Sequence, residues 1–242
     1  MYITSKTLEQ WGAKVNFQIG GGNTTELAVV SGQLNATAAP LPAMIDAGLS
    51  IFGNNQVHVD YLLVSKNLTS LDQLKGKTIA VATTTSPDQF LLDGALEKAK
   101  VTRNQVTIAL TASNGNSINQ LIQGKVDAAF IHADGLLKLQ KTGTFNVLAN
   151  GAALEPWFAD SYMGAMPAWL AANPATAEAI DLAWLHAAKI FDTDKQQWIK
   201  YALEYTKNTV SAADAGAAYD AIQKASPWPI DGTGVEIATL QK

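Results

Sequence analysis

The chain has 242 residues, which is enough for one large domain or for two modest domains that each have a hydrophobic core. Charged residues make up 16% of the sequence, the formal net charge is −4 and Arg103 is the single arginine, so no basic patch predicts a nucleic-acid partner. The absence of cysteine excludes disulfides, thiolate metal sites and cysteine nucleophiles.

Membrane and export signals are missing from the printed sequence. No apolar run approaches the roughly 20 residues that a membrane-spanning helix needs. The opening "MYITSKTLEQWGAK" has no basic segment followed by an apolar one, so it does not resemble a signal peptide. We therefore expect either a cytoplasmic protein or a chain that begins downstream of its natural start.

The first predicted unit covers the segment from Val15 to about residue 40. Val15, Phe17 and Ile19 alternate with polar residues, which predicts a half-buried strand. The polar loop "GGGNTT" follows, then an apolar helix that ends at Gly32, and then the strand-like run "NATAA".

The middle of the chain predicts two further strands and two helix starts. Tyr61–Ser65 and "KTIAVATTT", from Lys77 to Thr85, are predicted to form buried strands. "SLDQ", from Ser70 to Gln73, has the pattern of a capping box and Gly76 ends that short helix. "SPDQ" places a capping serine, Ser86, before a proline at the first helical position.

The first unit is then repeated. Val106, Ile108 and Leu110 alternate, the polar loop "TASNGNS" and an apolar helix follow, and Gly124 precedes the strand-like "DAAFI". The phrases "SGQLNATAA" and "QGKVDAAFI" therefore predict a βαβ unit that occurs twice, in two similar α/β lobes. The Asn35 and Asp127 side chains of these phrases are expected to shape the helix-to-strand junction rather than to do chemistry.

The C-terminal third is predicted to be mainly helical. Two short strand-like runs flank a Pro-Trp-Phe turn, after which Asn173-Pro174 opens a helix with Ile180, Trp184, Ala187 and Phe191 on one face. Further helices are predicted at about 193–206 and 211–225, and "SPWPIDGTG" then ends the helical structure.

The segment "DYLLVSKNLTSLDQLKGKTIAV", the duplicated phrase and "PWPIDG" together resemble the solute-binding proteins of ABC importers for nitrate, sulfonate and taurine. The related binders of thiamine pyrimidine precursors share the pattern. The resemblance implies an α/β protein of the type II periplasmic-binding-protein fold, in which two α/β lobes are joined by two crossing strands and hold the ligand in a cleft.

The resemblance also implies the division of the chain. Residues 1–65 and 156–242 would form lobe 1 and residues 66–155 lobe 2, with crossings near Tyr61–Lys66 and Glu155–Tyr162. Family members have additional segments before and after the stretch matched here, so the chain is expected to be truncated at both ends.

Candidate ligand-binding residues follow the predicted strands and begin the predicted helices, where backbone amides and a positive helix dipole receive anions. These are Asn23, Thr24, Thr84, Thr85, Ser86, Asn114 and Asn116. The resemblance adds Pro40, Leu41 and His132, which match cleft positions of the family, and Trp157 and Phe158, which lie at the second crossing. Structural roles stay open for many of them: Asn23 and Ser86 could cap their helices, Asn114 and Asn116 could only form a turn, and Trp157 and Phe158 could only fill the hinge.

The expected function is therefore that of an extracytoplasmic, monomeric solute-binding component that meets the ABC permease subunits. The candidate loops contain no lysine or arginine, which favours an organic molecule that carries one sulfonate or carboxylate, or none, over nitrate. A neutral pyrimidine-type ligand and the effector domain of a transcriptional regulator are the alternatives. No catalysis, metal, cofactor or nucleic-acid partner is expected, since no catalytic or phosphate-binding motif is present.

Overall fold

The structure is a computed structural model that describes residues 1–20, 24–56, 61–133, 135–155, 158 and 161–223. The helices in this part of the chain are α1 (Tyr2–Gln10), α2 (Thr24–Val30), α3 (Leu41–Asp46), α4 (Pro87–Ala99), α5 (Asn114–Ile122), α6 (Gly135–Gln140), α7 (Gly151–Leu154), α8 (Pro167–Ala172), α9 (Pro174–Thr193), α10 (Lys195–Tyr205) and α11 (Ala212–Gln223). The strands are β1 (Ala36–Ala39), β2 (Ser50–Gln56), β3 (Tyr61–Ser65), β4 (Thr78–Val81), β5 (Thr107–Leu110), β6 (Ala128–His132), β7 (Asn146–Asn150) and β8 (Ser161–Ala165).

These elements form two compact units. Over the described residues, the first unit holds 1–56 and 161–223, and the second holds 61–133, 135–155 and 158. Strand β3, which the sequence reading assigned to the end of lobe 1, pairs with β6 and β7 inside the second unit. The change from the first unit to the second therefore precedes Tyr61.

The first unit is built on a three-stranded sheet in the order β1-β8-β2, with β8 antiparallel to both neighbours. Helix α3 packs Met44 against Tyr162 of β8, and α9 packs Trp184 against Met163 of the same strand. Pro174 begins α9 as predicted, and the predicted apolar face packs inward with Trp184, Ala187 and Phe191 buried.

The second unit is built on a five-stranded sheet in the order β5-β4-β6-β3-β7. Strand β4 runs parallel to β5 and β6, whereas β3 is antiparallel to β6 and β7. Both faces are covered, so alternate residues of one strand enter different cores. Ile79 and Val81 pack with α4, and Ala80 packs on the opposite face with Ile118 of α5.

The glycine stops of the repeat are confirmed. Gly32 and Gly124 adopt positive φ angles of 75° and 68°, and a Cβ at either position would meet no atom within 4 Å. The left-handed backbone therefore explains both glycines. Asp127 has the predicted junction role, because its carboxylate accepts a hydrogen bond from Thr78 N at 2.8 Å.

The strand predicted at Val15–Ile19 is wrong. The structure assigns no strand there, and Phe17 and Ile19 are 36% and 66% exposed. Alternation predicts a strand only where a partner strand supplies hydrogen bonds and a core receives the apolar side chains. Within the described part of the chain, no strand pairs with this segment, so only the second repeat forms the complete βαβ unit.

Two capping predictions also need correction. Leu71–Leu74 forms a 3₁₀ turn in which the Ser70 side chain makes no capping bond, and the Gln73 amide oxygen accepts from Thr69 N instead. Helix α4 does begin at Pro87, but the Ser86 hydroxyl does not cap it. The Ser86 hydroxyl instead bonds to the backbone of Thr83 in the preceding loop.

Over the described residues, no helix has both the length and the hydropathy needed to cross a bilayer.

Candidate functional site

The carboxyl ends of the parallel strands β4, β5 and β6 lie at the same edge of the five-stranded sheet. Polar loops follow β4 and β5. They are joined by two backbone hydrogen bonds, in which Thr111 N donates to Val81 O at 3.0 Å and Ala112 N donates to Ala82 O at 2.8 Å. We call this edge the strand-end site; its members are Thr83, Thr84, Thr85, Ser86, Thr111, Ser113, Asn114, Asn116 and His132. In doubly wound sheets this edge is where ligands bind.

Loop 82–86 is held by the Ser86 hydroxyl and by the Asp88 carboxylate. Ser86 Oγ accepts from Thr83 N at 2.9 Å and lies 2.8 Å from Thr83 O, and Asp88 Oδ2 accepts from Ala82 N at 2.7 Å. Thr84 is exposed and Thr85 is half-exposed. Ser86 therefore shapes the loop. Thr85 Oγ1 lies 3.5 Å from Thr83 Oγ1, and Thr84 is the exposed threonine of the loop.

The start of α5 is fixed by Ser113 and by Asn114 and Asn116, the two asparagines predicted to bind ligand. Ser113 Oγ accepts from Asn116 N, and Asn116 Nδ2 donates to Thr111 O at 2.8 Å. Asn114 reaches β6, where its Nδ2 donates to Phe130 O at 3.4 Å and its Oδ1 accepts from His132 N at 3.3 Å. Asn116 thus closes its own loop and Asn114 ties the start of α5 to β6, and ligand contact by them stays a prediction.

His132 is the last residue of β6 and is half-buried. It lies directly opposite Tyr61 in the antiparallel pairing of β3 with β6, and the two ring centroids are 4.2 Å apart with an interplanar angle of 40°. This contact positions the imidazole at the strand-end site.

A buried carboxyl group lies at the same site. The Asp88 side chain is in the first turn of α4 and the residue is 0% exposed. Burial raises the pKa of Asp88, against smaller lowering effects of the hydrogen bonds from Ser86 and Ala82 N and of the charge of His132. The loop residues 82–88 and 111–117 contain no lysine or arginine, and Asp88 is the one charged side chain of these two segments.

The remaining candidates are divided between the units or fall outside the described residues. Thr24, which begins α2, and Pro40 and Leu41, which begin α3, lie in the first unit. Phe158 is 8% exposed and stacks on Phe90, with ring centroids 5.5 Å apart, in the core of the second unit. Of its two predicted roles, ligand stacking and packing, the structure shows packing. Asn23 and Trp157 lie outside the described residues.

Sequence reasoning missed two supporting groups. Thr111 and the fully buried Ser117 share a hydrogen bond of 2.7 Å beneath the start of α5. Tyr61 was read only as a strand residue, although a pairing of β3 with β6 would have placed it beside His132. Only the strand order reveals that pairing.

Among the described residues, no group of three or more His, Asp or Glu could hold a metal ion.

Comparison with known proteins adds three findings. A family model described as ABC transporter, phosphonate, periplasmic substrate-binding protein matches residues 47–192, which is more than half of the chain. A search of curated proteins finds no match. Solved structures do match over almost all of the chain.

One is the alkanesulfonate-binding protein SsuA from Xanthomonas axonopodis pv. citri bound to MOPS, at 19% identity and a TM-score of 0.79, covering 98% of this chain and 82% of that chain. Another is the periplasmic aliphatic sulphonate binding protein SsuA from Escherichia coli, at 17% identity and a TM-score of 0.77, covering 99% and 79%. A ligand-binding component of an ABC-type import system from Staphylococcus aureus has 13% identity and a TM-score of 0.76, covering 99% and 83%.

At these identities the structural likeness supports the fold, and the family match supports the class of protein. The two-sheet α/β architecture agrees with the periplasmic-binding-protein fold that the sequence predicted. The chain belongs to the family of periplasmic substrate-binding proteins of phosphonate-type ABC transporters.

Proposed function

We propose that this protein captures a small organic anion with one sulfonate or carboxylate group and delivers it to the permease of an ABC importer. The observation that carries the proposal is the strand-end site, where hydroxyl-rich loops and the start of α5 converge on one sheet edge without any lysine or arginine. A monomeric, extracytoplasmic protein whose two units are the two lobes, and which releases its solute unchanged, is part of the proposal.

The start of α5 supplies the main attraction for an anion. The first amides of a helix have no intrahelical acceptor, and the helix dipole adds partial positive charge there. Ser113 caps Asn116 N, while Asn114 and Gly115 bring their backbone N–H groups to the start of the helix. Backbone amides can therefore receive the oxygens of a headgroup without a basic side chain.

Hydroxyl and imidazole groups complete the proposed contacts. Thr84 and Thr85 extend from loop 82–86, and His132 can donate a hydrogen bond as neutral imidazole or as imidazolium. Such a set suits one charge better than two, because nothing in these loops balances a second charge. The Xanthomonas and E. coli neighbours are named as sulfonate-binding proteins, which supports the same ligand class.

Calorimetry and thermal-shift measurements with ethanesulfonate, taurine, benzoate, nitrate and a pyrimidine test the proposal. We expect binding of a sulfonate or carboxylate, and T84V/T85V should weaken it about ten- to a hundredfold for each charge-assisted bond lost. The matched control is T144V, because Thr144 is an exposed threonine at the opposite edge of the sheet. It precedes β7, whose first residue pairs with Ser65, whereas the strand-end site lies at the Tyr61 end of β3.

Two results would contradict the proposal. Tight nitrate binding that H132A leaves unchanged would mean that the anion lies elsewhere. Binding of the pyrimidine alone would show a neutral-ligand protein of the same fold.

A further inference from the structure

Gln89 carries a buried hydrogen-bond donor that lacks an acceptor. It is the third residue of α4, and the residue is 9% exposed. Its side-chain nitrogen Nε2 is enclosed, and among the described residues it has no hydrogen-bond partner. A buried donor without an acceptor lowers stability, and native proteins satisfy nearly all such groups. The unpaired amide of Gln89 therefore needs an explanation.

The carboxyl groups on the same helix do not supply the acceptor. Both oxygens of Asp88 bond within loop 82–86. Asp93, which lies one turn further along the same face of α4 as Gln89, is exposed, and its Oδ1 lies 3.6 Å from Arg103 Nη1. An acceptor for the amide therefore has to come from elsewhere.

The Gln89 side chain is directed toward the strand-end site. In an α-helix the Cα–Cβ bonds tilt toward the N-terminus, so a long side chain in the first turn covers the segment that precedes the helix. Gln89 N donates to Ser86 O at 3.0 Å, which closes this first turn onto loop 82–86. The unpaired amide therefore lies over the loop that presents Thr84 as its exposed threonine.

We propose that Gln89 is a further ligand-binding residue of the strand-end site, where its side-chain N–H donates to an oxygen of the bound sulfonate or carboxylate. This inference rests on the proposed function. Because Nε2 is enclosed in the free protein, binding includes a rotation of the amide, whose terminal torsion is broad in glutamine. The rotation exchanges an unpaired donor for a charge-assisted hydrogen bond, which is roughly twice as strong as a bond between neutral groups.

A glutamine at this position serves binding at the expense of the free protein. An apolar side chain of similar length would fill the same space without an unpaired donor. Gln89 therefore lowers the stability of the ligand-free state and gains its acceptor only when the anion is bound. Stability that is given up at a functional residue is a recurrent feature of binding and active sites.

The test compares wild type with Q89M, using ethanesulfonate and benzoate as the anions. Methionine is unbranched like glutamine and has a similar helix propensity, but it has no N–H to donate. Q120M is the matched control, because Gln120 is a half-exposed glutamine on α5 in the same unit.

We expect Q89M to bind the anion about ten- to a hundredfold more weakly than wild type in calorimetry, as for the loss of one charge-assisted bond. Without ligand, its urea-unfolding midpoint should equal or exceed that of wild type, because the unpaired donor is gone. Q120M should bind like wild type.

Nuclear magnetic resonance of the wild type provides a second measurement that needs no change at the site. The side-chain amide signals of Gln89 can be assigned by their absence from the spectrum of Q89M. Addition of the anion should move these signals, with the proton of the bonded N–H shifting downfield. Signals of Gln89 that stay fixed while the backbone signals of Thr84 and Gly115 respond would overturn the inference.

Failure of the inference and failure of the proposed function give different results. Binding of the anion by Q89M with wild-type affinity overturns the role of Gln89 alone. A lower unfolding midpoint of ligand-free Q89M also contradicts the inference, because it shows that the amide supports the fold. Wild type that binds neither ethanesulfonate nor benzoate overturns both proposals.

Discussion

Tyr61 and His132 face each other across the antiparallel pair β3 and β6, with ring centroids 4.2 Å apart. The contact joins a core residue that is 6% exposed to a half-buried imidazole at the strand-end site. The tyrosine therefore belongs both to the core of the second unit and to the support of a candidate ligand group.

Removing this ring contact should weaken both stability and ligand binding. A double-mutant cycle of Y61L and H132A, measured by urea unfolding, should give a coupling free energy of about 0.5–1.5 kcal/mol. Y61L should also lower the affinity for a sulfonate, because the imidazole loses one of its supports. Y205L is the control for affinity, since it removes a tyrosine ring contact, that of Tyr205 with Tyr2, in the first unit. Additive single effects would contradict the contact.

Asp127 should matter for stability and not for ligand binding. Its carboxylate accepts from Thr78 N at 2.8 Å, and its backbone oxygen accepts from Ser65 Oγ at 2.6 Å, so it ties the starts of β4 and β6 to the end of β3. D127A should lower the free energy of unfolding by about 1–3 kcal/mol, since the Thr78 N–H loses its acceptor. D127N should lose less because its amide oxygen can still accept. A large fall in sulfonate affinity in folded D127A would refute this purely structural role.

Two glycines should respond differently to alanine. At Gly164 in the central strand β8, a Cβ would lie 2.5 Å from Met44 Sδ and 3.3 Å from Ser50 O, and Met44 is fully buried. G164A should therefore cost about 1–3 kcal/mol through overpacking.

At Gly94 in α4 the nearest atom is the carboxylate end of Glu155, a flexible side chain that can move aside. G94A should be near neutral, because a gain of about 1 kcal/mol in helix propensity offsets the displacement. Urea unfolding of both variants checks the contrast, and the reverse ranking would contradict the packing described above.

Stability should depend on pH through Asp88. Its pKa is raised by burial in the folded state, so the folded protein binds more protons than the unfolded chain once pH exceeds about 4, the ordinary value for aspartate. This contribution is fully present below that value and is lost as pH rises through the folded pKa. D88N should remove the loss, whereas D93N should not. Urea unfolding from pH 4 to 8 measures it, and parallel profiles for wild type and D88N would rule out the effect.

Much of the local structure was determined by the sequence alone. The buried strand at Tyr61–Ser65, the start of α9 at Pro174 and the left-handed Gly32 and Gly124 were all predicted. The strand predicted over 77–85 is present as β4 but ends at Val81, where the loop 82–86 begins. These features depend on neighbouring residues: apolar runs, a proline that suits the first helical turn, and a residue without Cβ at a positive φ. The repeated phrase and the family resemblance likewise predicted the α/β fold.

Contacts between distant segments were decided only by the tertiary structure. Val15, Phe17 and Ile19 alternate like a strand, but no strand among the described residues pairs with them, because alternation says nothing about whether a partner exists. Ser86 has the sequence of a cap, yet its hydroxyl binds loop 82–86 and Asp88. Tyr61 meets His132 because the strand order places β3 beside β6. Hydrogen bonds and ring contacts of this kind join residues far apart in the chain, and local propensity carries no information about which of them will meet.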